Sequence, residues 1–384
     1  MSSHFYKGIT LDGRAVEVTI KGKTIASVQE IPPTPHLPWL LPPLVDLQHN
    51  GSLGLSYSFL DSADDLRTIG QHLLSHGVGR VLATSTTYEY DEVCRGGGKF
   101  KSFVESDPVL GKLFFGIFHE GVFISPEDGW RGAHGKEYIQ PPNWELFKQF
   151  DDATGGLTRI INIAPEEPGG LEFIDKAIAA GKQIALGHCN PDSATIREAV
   201  KRGATLVTHF GNGAAPLIPR FKNPFWEFLA NPGLSLGLVG DGFHLPPEVV
   251  QVAIRQKGHN NCFVVSDANR SAGLPPGIYE GLNGSKRILE PNGFLHLENS
   301  EILSGSSCQL DHCVEFLVNA VGFTFESAWQ QCSTIPAHIA GIKLPELKAG
   351  EEATFIQACF DGGKLRLACT VFDGATYTPQ KKNK

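Results

Sequence analysis

Four short segments between residues 184 and 273 constrain the fold more than any other feature of the sequence. In each, a short apolar run reaches a His or an Asp at or just past its C-terminal end; the segments are 184–188, 204–209, 236–244 and 262–267. Uninterrupted apolar runs are typical of parallel strands that are buried on both faces. In barrels of parallel strands, the chemistry takes place at the C-terminal ends of the strands.

The segment between the first two of these strands has a helical pattern. Ile196, Ala199 and Val200 form an apolar stripe within residues 192–202, and Gly203 follows as a helix-ending residue. Strand, helix and strand in repetition are the pattern of βαβ units in an α/β fold. Further strands of the same kind are predicted at residues 39–50, 81–86, 113–118 and 158–166.

The two ends of the chain have a different pattern. Residues 8–30 and 353–372 alternate apolar and polar residues around turn signals, which is typical of short antiparallel strands. The 384 residues, 41% of them hydrophobic, are enough for a full barrel and a smaller domain. We therefore predict a barrel at residues 39–342 and one small β-sandwich built from both termini, residues 1–38 and 343–384.

Three local features are interpreted structurally. The first strand ends in Gln48, His49 and Asn50; because side chains alternate along a strand, Gln48 and Asn50 face one side, and His49 faces the other as a structural residue. A helix is predicted at residues 62–77, capped at Ser62. The glycine run at residues 96–98 lacks the ending of a phosphate-binding loop and is interpreted as a flexible loop.

Composition and charge exclude several classes of function. The formal net charge is −8, and the basic run at residues 381–384 is short, so no nucleic-acid partner is expected. The first residues have no apolar signal core and no later stretch is long and apolar enough for a membrane span, so we expect a cytoplasmic protein. The eight cysteines are scattered, which favours reduced thiols over a disulfide framework.

Glu120, His188 and His209 are the candidate metal ligands. Each follows an apolar strand, and a carboxylate at the mouth of such a strand is costly unless a cation or hydrogen bonds satisfy it. One carboxylate and two imidazoles suit zinc, with the remaining position open to water or substrate. The alternative is that the histidines are incidental loop residues.

The sequence resembles the N-acetylglucosamine-6-phosphate deacetylase family of the amidohydrolase superfamily over nearly its whole length. The matching motifs lie at residues 46–51, 120–127, 132–134, 164–166, 187–190, 208–212, 241–244, 266–268, 272–273, 303–306 and 335–337. The resemblance implies a (β/α)8 barrel of the TIM type with a β-sandwich from both termini. It also implies a cytoplasmic homodimer in which a loop of the partner reaches the active site.

The family resemblance assigns roles to matching positions. Glu120, His188 and His209 are implied to hold one divalent ion, most simply zinc, with iron, cobalt or manganese as alternatives. Asp267 is implied to be the general base and His134 to polarise the acyl oxygen; the alternative for Asp267 is a helix N-cap. The implied substrate-binding residues are His244, Arg220, Asn212, Gly213, Gln48 and Asn50, and the Gln48 and Asn50 version of the first motif resembles the members with a single metal.

The implied reaction is removal of the acetyl group from an N-acetylated amino sugar phosphate, with N-acetylglucosamine 6-phosphate as the expected substrate and glucosamine 6-phosphate and acetate as products. The sequence departs from the family at residues 118–122, where the family's His and Pro are lost, and in the loops 210–226 and 267–277. Two alternatives therefore remain: an amidohydrolase for another N-acyl or cyclic amide, and a homologue that binds metal or ligand without catalysis.

Overall fold

The computed structural model of the protein describes residues 3–281 and 284–379. Within these residues, parallel strands form one sheet that curves into a barrel, as the sequence predicts. In chain order, its strands are Leu44–His49, Val78–Ser85, Phe114–His119, Thr158–Ile163, Gln183–Leu186, Ala204–Val207, Ser235–Val239 and Cys262–Val265. Apolar side chains from these strands, such as Leu82, Phe118 and Phe263, fill the interior below the C-terminal ends.

The barrel closes where the residues after its last strand meet the first strand. The backbone N–H of Asp267 donates to the carbonyl of Gln48 at 3.0 Å, and the N–H of Asn50 donates to the carbonyl of Ala268 at 2.7 Å. Below them, Ser266 donates a hydrogen bond to the buried carboxylate of Asp46. The segment that carries Asp267 is therefore part of the joint between the first and last strands.

Helices cover the outside of the barrel. They are Ala63–Ser75, Tyr90–Ser106, Pro108–Leu113, Trp144–Ala153, Gly170–Ala179, Ser193–Lys201, Pro224–Ala230, Pro247–Lys257, Leu310–Phe316, Phe325–Gln331 and Thr334–Ile339. The predicted cap is confirmed, because the hydroxyl of Ser62 accepts from the N–H of Asp65 at 3.3 Å and the Asp65 carboxylate accepts from the N–H of Ser62 at 3.0 Å. No helix in the described part of the chain is long and apolar enough to cross a membrane.

The interpretation of Gly96, Gly97 and Gly98 as a flexible loop was wrong. All three lie inside the helix Tyr90–Ser106. A Cβ atom on Gly96 would lie 2.1 Å from the carbonyl oxygen of Ser58, and one on Gly97 would lie 2.7 Å from Cγ2 of Thr154. The glycines therefore allow this helix to pack closely against its neighbours.

The two termini form a separate antiparallel sheet with one short parallel contact. Its strands are Ser3–Ile9, Ala15–Lys21, Thr24–Glu30, Trp39–Leu41, Phe355–Asp361, Lys364–Phe372 and Ala375–Tyr377. Val18, Ile25, Phe355 and Val371 belong to one buried cluster, so strands from both ends of the chain share a core. The predicted pairing of the termini is confirmed, while the boundaries at residues 38 and 342 stay a prediction and the basic run 381–384 lies outside the described residues.

Trp39–Leu41 was assigned to the wrong sheet. The sequence analysis joined it to the first barrel strand, but it pairs with Ile9 and with residues 356–358 of the terminal sheet. Pro42 and Pro43 separate it from Leu44–His49. Because proline lacks an N–H donor, the pair marks the point at which the chain leaves one sheet for the other.

Two small antiparallel units cover the C-terminal ends of the barrel strands. One is the pair Gly51–Ser52 and Leu55–Ser56, and the other is a three-stranded sheet of Gly277–Glu280, Lys286–Leu289 and Leu295–Leu297. Neither unit is predicted from the sequence. Both lie in the loops that follow barrel strands, which is where binding residues are placed in this kind of fold.

Candidate metal centre and active site

The side chains of Glu120, His188 and His209 meet above the barrel interior. Nε2 of His209 lies 3.1 Å from Oε1 of Glu120 and 2.9 Å from Nε2 of His188, and the third distance, from His188 Nε2 to Glu120 Oε1, is 3.7 Å. All three residues are buried, with 4%, 6% and 3% of their surface exposed in the order named above. Three donor atoms that follow three different strands therefore converge on one point.

The protonation state of His188 shows why a cation fits between these atoms. Nδ1 of His188 lies 2.9 Å from the carbonyl oxygen of Trp130, and a carbonyl only accepts, so Nδ1 carries the proton. The lone pair of Nε2 then points toward His209 and Glu120. With the proton of His209 also on Nδ1, the Glu120 carboxylate and the two facing imidazole lone pairs would form a donor set suited to a cation. Within the described residues, Nδ1 of His209 has no hydrogen-bond partner.

The distances agree with a tetrahedral metal site. Ligand atoms about 2.0–2.1 Å from zinc lie about 3.3 Å from one another, and the three observed separations lie on both sides of that value. Burial raises the pKa of Glu120, but the adjacent imidazoles of His188 and His209 outweigh it and hold the carboxyl ionised. An imidazole nitrogen of His134 also lies within 4.8 Å of the donor atoms of Glu120 and His188.

Asn162 ties together the strand ends that carry the donors. Its amide donates to the carbonyls of Glu120 at 3.0 Å and Gly187 at 3.1 Å, and its oxygen accepts from Thr208 at 2.7 Å. It is fully buried. The sequence analysis missed this residue, although a lone polar residue within the apolar run 160–163 was a signal for it.

Asp267 lies beside the three donors. Its Oδ1 accepts from Nδ2 of Asn50 at 2.8 Å and from Nε2 of Gln48 at 3.2 Å, and Gln48 also donates to Oε1 of Glu120 at 2.8 Å. Gln48 and Asn50 therefore face the same side, as predicted, and that side is the candidate site. His49 faces the other way, with Nδ1 2.7 Å from the hydroxyl of Tyr57, as expected of a structural residue. Burial, together with the charge of Glu120, raises the pKa of Asp267 to about 7.

Three of these residues have an unusual backbone conformation. His188, His209 and Asp267 have φ angles of +50°, +26° and +49°. Residues other than glycine rarely adopt this region, and such strain is found most often at functional sites. In each case the turn directs a side chain over the barrel mouth directly after its strand.

Two more histidines complete the site. Nδ1 of His134 lies 2.7 Å from the hydroxyl of Thr87, and its ring packs edge to face against His188 with the ring centroids 4.5 Å apart. Nδ1 of His244 is held 2.7 Å from Asp241, which leaves Nε2 3.9 Å from Oδ2 of Asp267. Trp130, Thr87 and Asp241 were not identified as partners in the sequence analysis, because each contact depends on the three-dimensional placement of loops.

A cavity of about 700 Å³ opens over these groups. Its lining includes Asn50, Glu120, His134, His188, His209, Asn212, Gly213, His244 and Asp267, so the structure brings these predicted residues together. Gln48 lies just beneath them. Arg220 is different, because it is exposed and does not line the cavity within the described residues. Arg270 and Arg287 line it instead.

The backbone at Gly213 must approach the metal centre closely. A Cβ atom there would lie 2.4 Å from Nδ1 of His188. Gly213 also has a φ of +58°, which an L-residue adopts only with strain. Glycine at this position thus lets the loop that follows His209 pass over the ring of His188.

Comparison with known proteins agrees with this arrangement. No family model matches the chain. The N-acetylglucosamine-6-phosphate deacetylase of Bacillus subtilis is 33% identical over 253 residues, which are 63% of this chain and 61% of that enzyme. The enzyme of the same name from Bos taurus is 29% identical over 333 residues, which are 83% of this chain and 78% of that enzyme. The match thus spans about three fifths of the bacterial relative and more of the mammalian one.

The fold is also found among solved structures. A mutant N-acetyl-D-glucosamine-6-phosphate deacetylase from Mycobacterium smegmatis, in complex with N-acetyl-D-glucosamine-6-phosphate, superposes with a TM-score of 0.86 over 98% of this chain and 100% of that one. The two sequences are 20% identical, so this likeness shows the fold alone. By these sequence relatives, the chain is similar to N-acetylglucosamine-6-phosphate deacetylases, and it shares the fold of the solved enzymes of that name.

Proposed function

We propose that the protein is a metal-dependent amide hydrolase that removes the acetyl group from an N-acetylated amino sugar phosphate, with N-acetylglucosamine 6-phosphate as its substrate. One observation carries the proposal: a buried carboxylate, Asp267, is held by Gln48 and Asn50 beside a cluster of three metal-type donors at the base of an open cavity. Curated relatives with this name support the choice of substrate.

The chain's own residues supply the proton transfers. A divalent ion, when held by Glu120, His188 and His209, would lower the pKa of water toward about 7 and draw charge from a carbonyl oxygen. Asp267 takes the proton of the attacking water and returns it to the nitrogen of the departing amine, which leaves poorly without it. Gln48 and Asn50 hold Oδ1 of Asp267, so Oδ2 is the oxygen that faces the cavity and exchanges the proton.

His134 stabilises the negative charge that develops on the acyl oxygen. Nδ1 of His134 is paired with the hydroxyl of Thr87, which leaves Nε2 free for the acyl oxygen. In this role the Thr87 hydroxyl would donate to Nδ1, and Nε2 would carry the proton and donate to the acyl oxygen. Burial, with the charge of His188, lowers the pKa of His134 to about 3, so the ring is neutral at pH 7. Aligned donors at a developing oxyanion usually contribute the largest share of catalysis.

The donor set favours a single zinc ion. One carboxylate oxygen and two imidazole nitrogens suit zinc, and iron, cobalt or manganese would accept the same ligands. Gln48 and Asn50 occupy the positions beside the donors with neutral amides. Amides bind such metals more weakly than imidazoles do, so we expect no second ion.

The sugar phosphate would be bound at the side of the cavity that is formed by Asn212, Gly213 and His244. Burial lowers the pKa of His244, but the charges of Asp241 and Asp267 outweigh it and raise the value, which favours a cationic ring able to bind a phosphate. Arg220 is too exposed to serve this site in its own chain. We propose that it reaches the site of a second copy.

The surface around Arg220 supports a homodimer. Leu217 is 91% exposed, Phe221 75% and Trp226 53%, and Ile218 is also exposed. Large exposed apolar side chains grouped in one segment, here residues 217–226, mark an interaction surface more often than a solvated one. We place the dimer in the cytoplasm, where the eight cysteines remain reduced thiols.

The test is acetate release from N-acetylglucosamine 6-phosphate by the purified protein with its metal content measured. We expect turnover with about one ion per chain and loss of turnover after chelation. Turnover of other N-acyl or cyclic amides, with none on the amino sugar phosphate, would favour another amidohydrolase activity. Metal binding without hydrolysis of any of these substrates would favour a binding protein.

A further inference from the structure

Arg287 brings an unpaired charge into the active-site cavity. It lies on the strand Lys286–Leu289 of the three-stranded sheet, lines the cavity, and its Nε donates to the hydroxyl of Ser304 at 2.6 Å. Among residues 3–281 and 284–379, no carboxylate lies within 4.0 Å of its guanidinium. Arginines inside proteins are normally paired with an anion.

Arg270 lies in the same part of the cavity. It follows Asp267 by three residues and is also without a carboxylate within 4.0 Å in the described part of the chain. Burial, and after it the charge of Arg270, lowers the pKa of Arg287 to about 10, so the two cations act on each other. Glu301 lines this part of the cavity but is exposed and pairs with neither arginine.

This positive region differs from the one assigned to the sugar phosphate. The charge of Arg287 contributes to the lowered pKa of His134, the residue at the acyl side of the reaction. The pKa of His244 is set by burial, Asp241 and Asp267. A substrate with one phosphate at His244 would therefore leave the two arginines facing each other without an anion.

We infer that Arg270 and Arg287 form a second anion-binding subsite, which takes a carboxylate or a sulfate or phosphate ester carried by the substrate in addition to its 6-phosphate. The inference rests on the proposed function, because it names which N-acylated amino sugar phosphates the cavity accepts. Guanidinium groups bind carboxylates and phosphates through two parallel hydrogen bonds, and two arginines can surround one such group. The subsite thus determines specificity and takes no part in proton transfer.

The test compares four substrates with the metal-loaded protein. They are N-acetylglucosamine 6-phosphate, its 3-O-carboxymethyl ether, its 3-O-sulfate ester, and glucosamine 6-phosphate with an N-succinyl group in place of acetyl. We expect kcat/KM for at least one of the last three to exceed that for the first by at least about tenfold, as for other sites built to bind a polar substrate group. Arg270→Met and Arg287→Met should remove this preference, and Arg287→Lys should retain part of it.

Arg255→Met is the matched control, since Arg255 is exposed on the helix Pro247–Lys257 and does not line the cavity. Its preference should equal that of the wild type. Binding of each substrate to Asp267→Asn, measured by calorimetry, gives the same comparison without turnover. Equal kcat/KM for all four substrates, or a preference that survives in both methionine variants, would overturn the inference.

Two further outcomes separate the inference from the proposed function. Unphosphorylated N-acetylglucosamine is assayed as a fifth compound. If the methionine variants lose only the preference for N-acetylglucosamine 6-phosphate over this compound, the arginines bind the 6-phosphate and the second subsite is refuted. If the wild type hydrolyses none of the four substrates and Asp267→Asn binds none of them, the proposed function fails and the inference fails with it.

Discussion

Replacement of Asp267 with asparagine is the most direct test of the mechanism. In the wild type, Oδ1 accepts from Gln48 and Asn50. An asparagine that placed its NH2 group there would set donor against donor, at a cost of about 1–3 kcal/mol. The side chain therefore keeps its oxygen toward Gln48 and Asn50, and its NH2 group takes the position of Oδ2, which lies 3.9 Å from His244.

The expected loss follows from this geometry. The variant has a similar shape and the same contacts, but no group that can accept a proton from water. Positioned acid–base groups contribute about 10²–10⁴-fold, so kcat should fall by that factor, which is about 3–5 kcal/mol of activation free energy. KM should change little, because the lost interaction belongs to the transition state.

The assay measures steady-state acetate release and metal content on the same preparations. Asp267→Asn should contain as much metal as the wild type, because Asp267 is not one of the three donors. Asp64→Asn makes the same substitution at an exposed residue of the helix Ala63–Ser75 and serves as the matched control for the preparation of the variants. More than about a tenth of the wild-type kcat in Asp267→Asn, or loss of its metal, would refute the assignment of Asp267 as the proton acceptor.

Three further predictions follow from the same structure. Glu120→Gln should lose most of the bound metal and the activity, because a neutral amide replaces the only carboxylate among the three proposed ligands, and metal analysis after gel filtration checks this. The pKa of Asp267 is raised to about 7, and a carboxylate acts as a base only when ionised, so kcat/KM should fall as the pH drops through the pKa. A bound cation lowers the pKa of Asp267, so the fall in kcat/KM moves below pH 7. A kcat/KM that stays constant down to pH 4 contradicts the assignment of Asp267 as the base. Gly96→Ala should destabilise the protein although alanine favours helices by about 1 kcal/mol, because overpacking costs about 1–3 kcal/mol and the new Cβ would lie 2.1 Å from the carbonyl of Ser58; urea unfolding measures the difference.

The barrel strands could be predicted because their signal is local. An apolar run such as Cys262–Val265 is buried on both faces wherever the chain places it, and the polar residue that follows it marks the C-terminal end. Side-chain alternation also gave the opposite directions of Gln48 and His49. The apolar run depends only on adjacent residues and the alternation on a period of two residues, and a single sequence displays both.

The errors concern contacts between distant residues. A run of three glycines suggests flexibility when it is considered alone, and only the carbonyl of Ser58 reveals that Gly96 belongs to a packed helix. In the same way, nothing near Arg287 in the sequence indicates that it reaches the cavity, because the three-stranded sheet that carries it was not predicted. Arg220 had the stronger sequence signal but lies on the surface.

The closure of the barrel at Asp267 has a consequence for protein synthesis. Glu120, His188 and His209 leave the ribosome before Asp267, and the hydrogen bond from the backbone N–H of Asp267 to the carbonyl of Gln48 joins residues 219 positions apart. A nascent chain that stops before residue 262 therefore has all three donors but no base. The proposed base is therefore put in place only when the last strand, and the residues after it, have docked against Gln48 and Asn50.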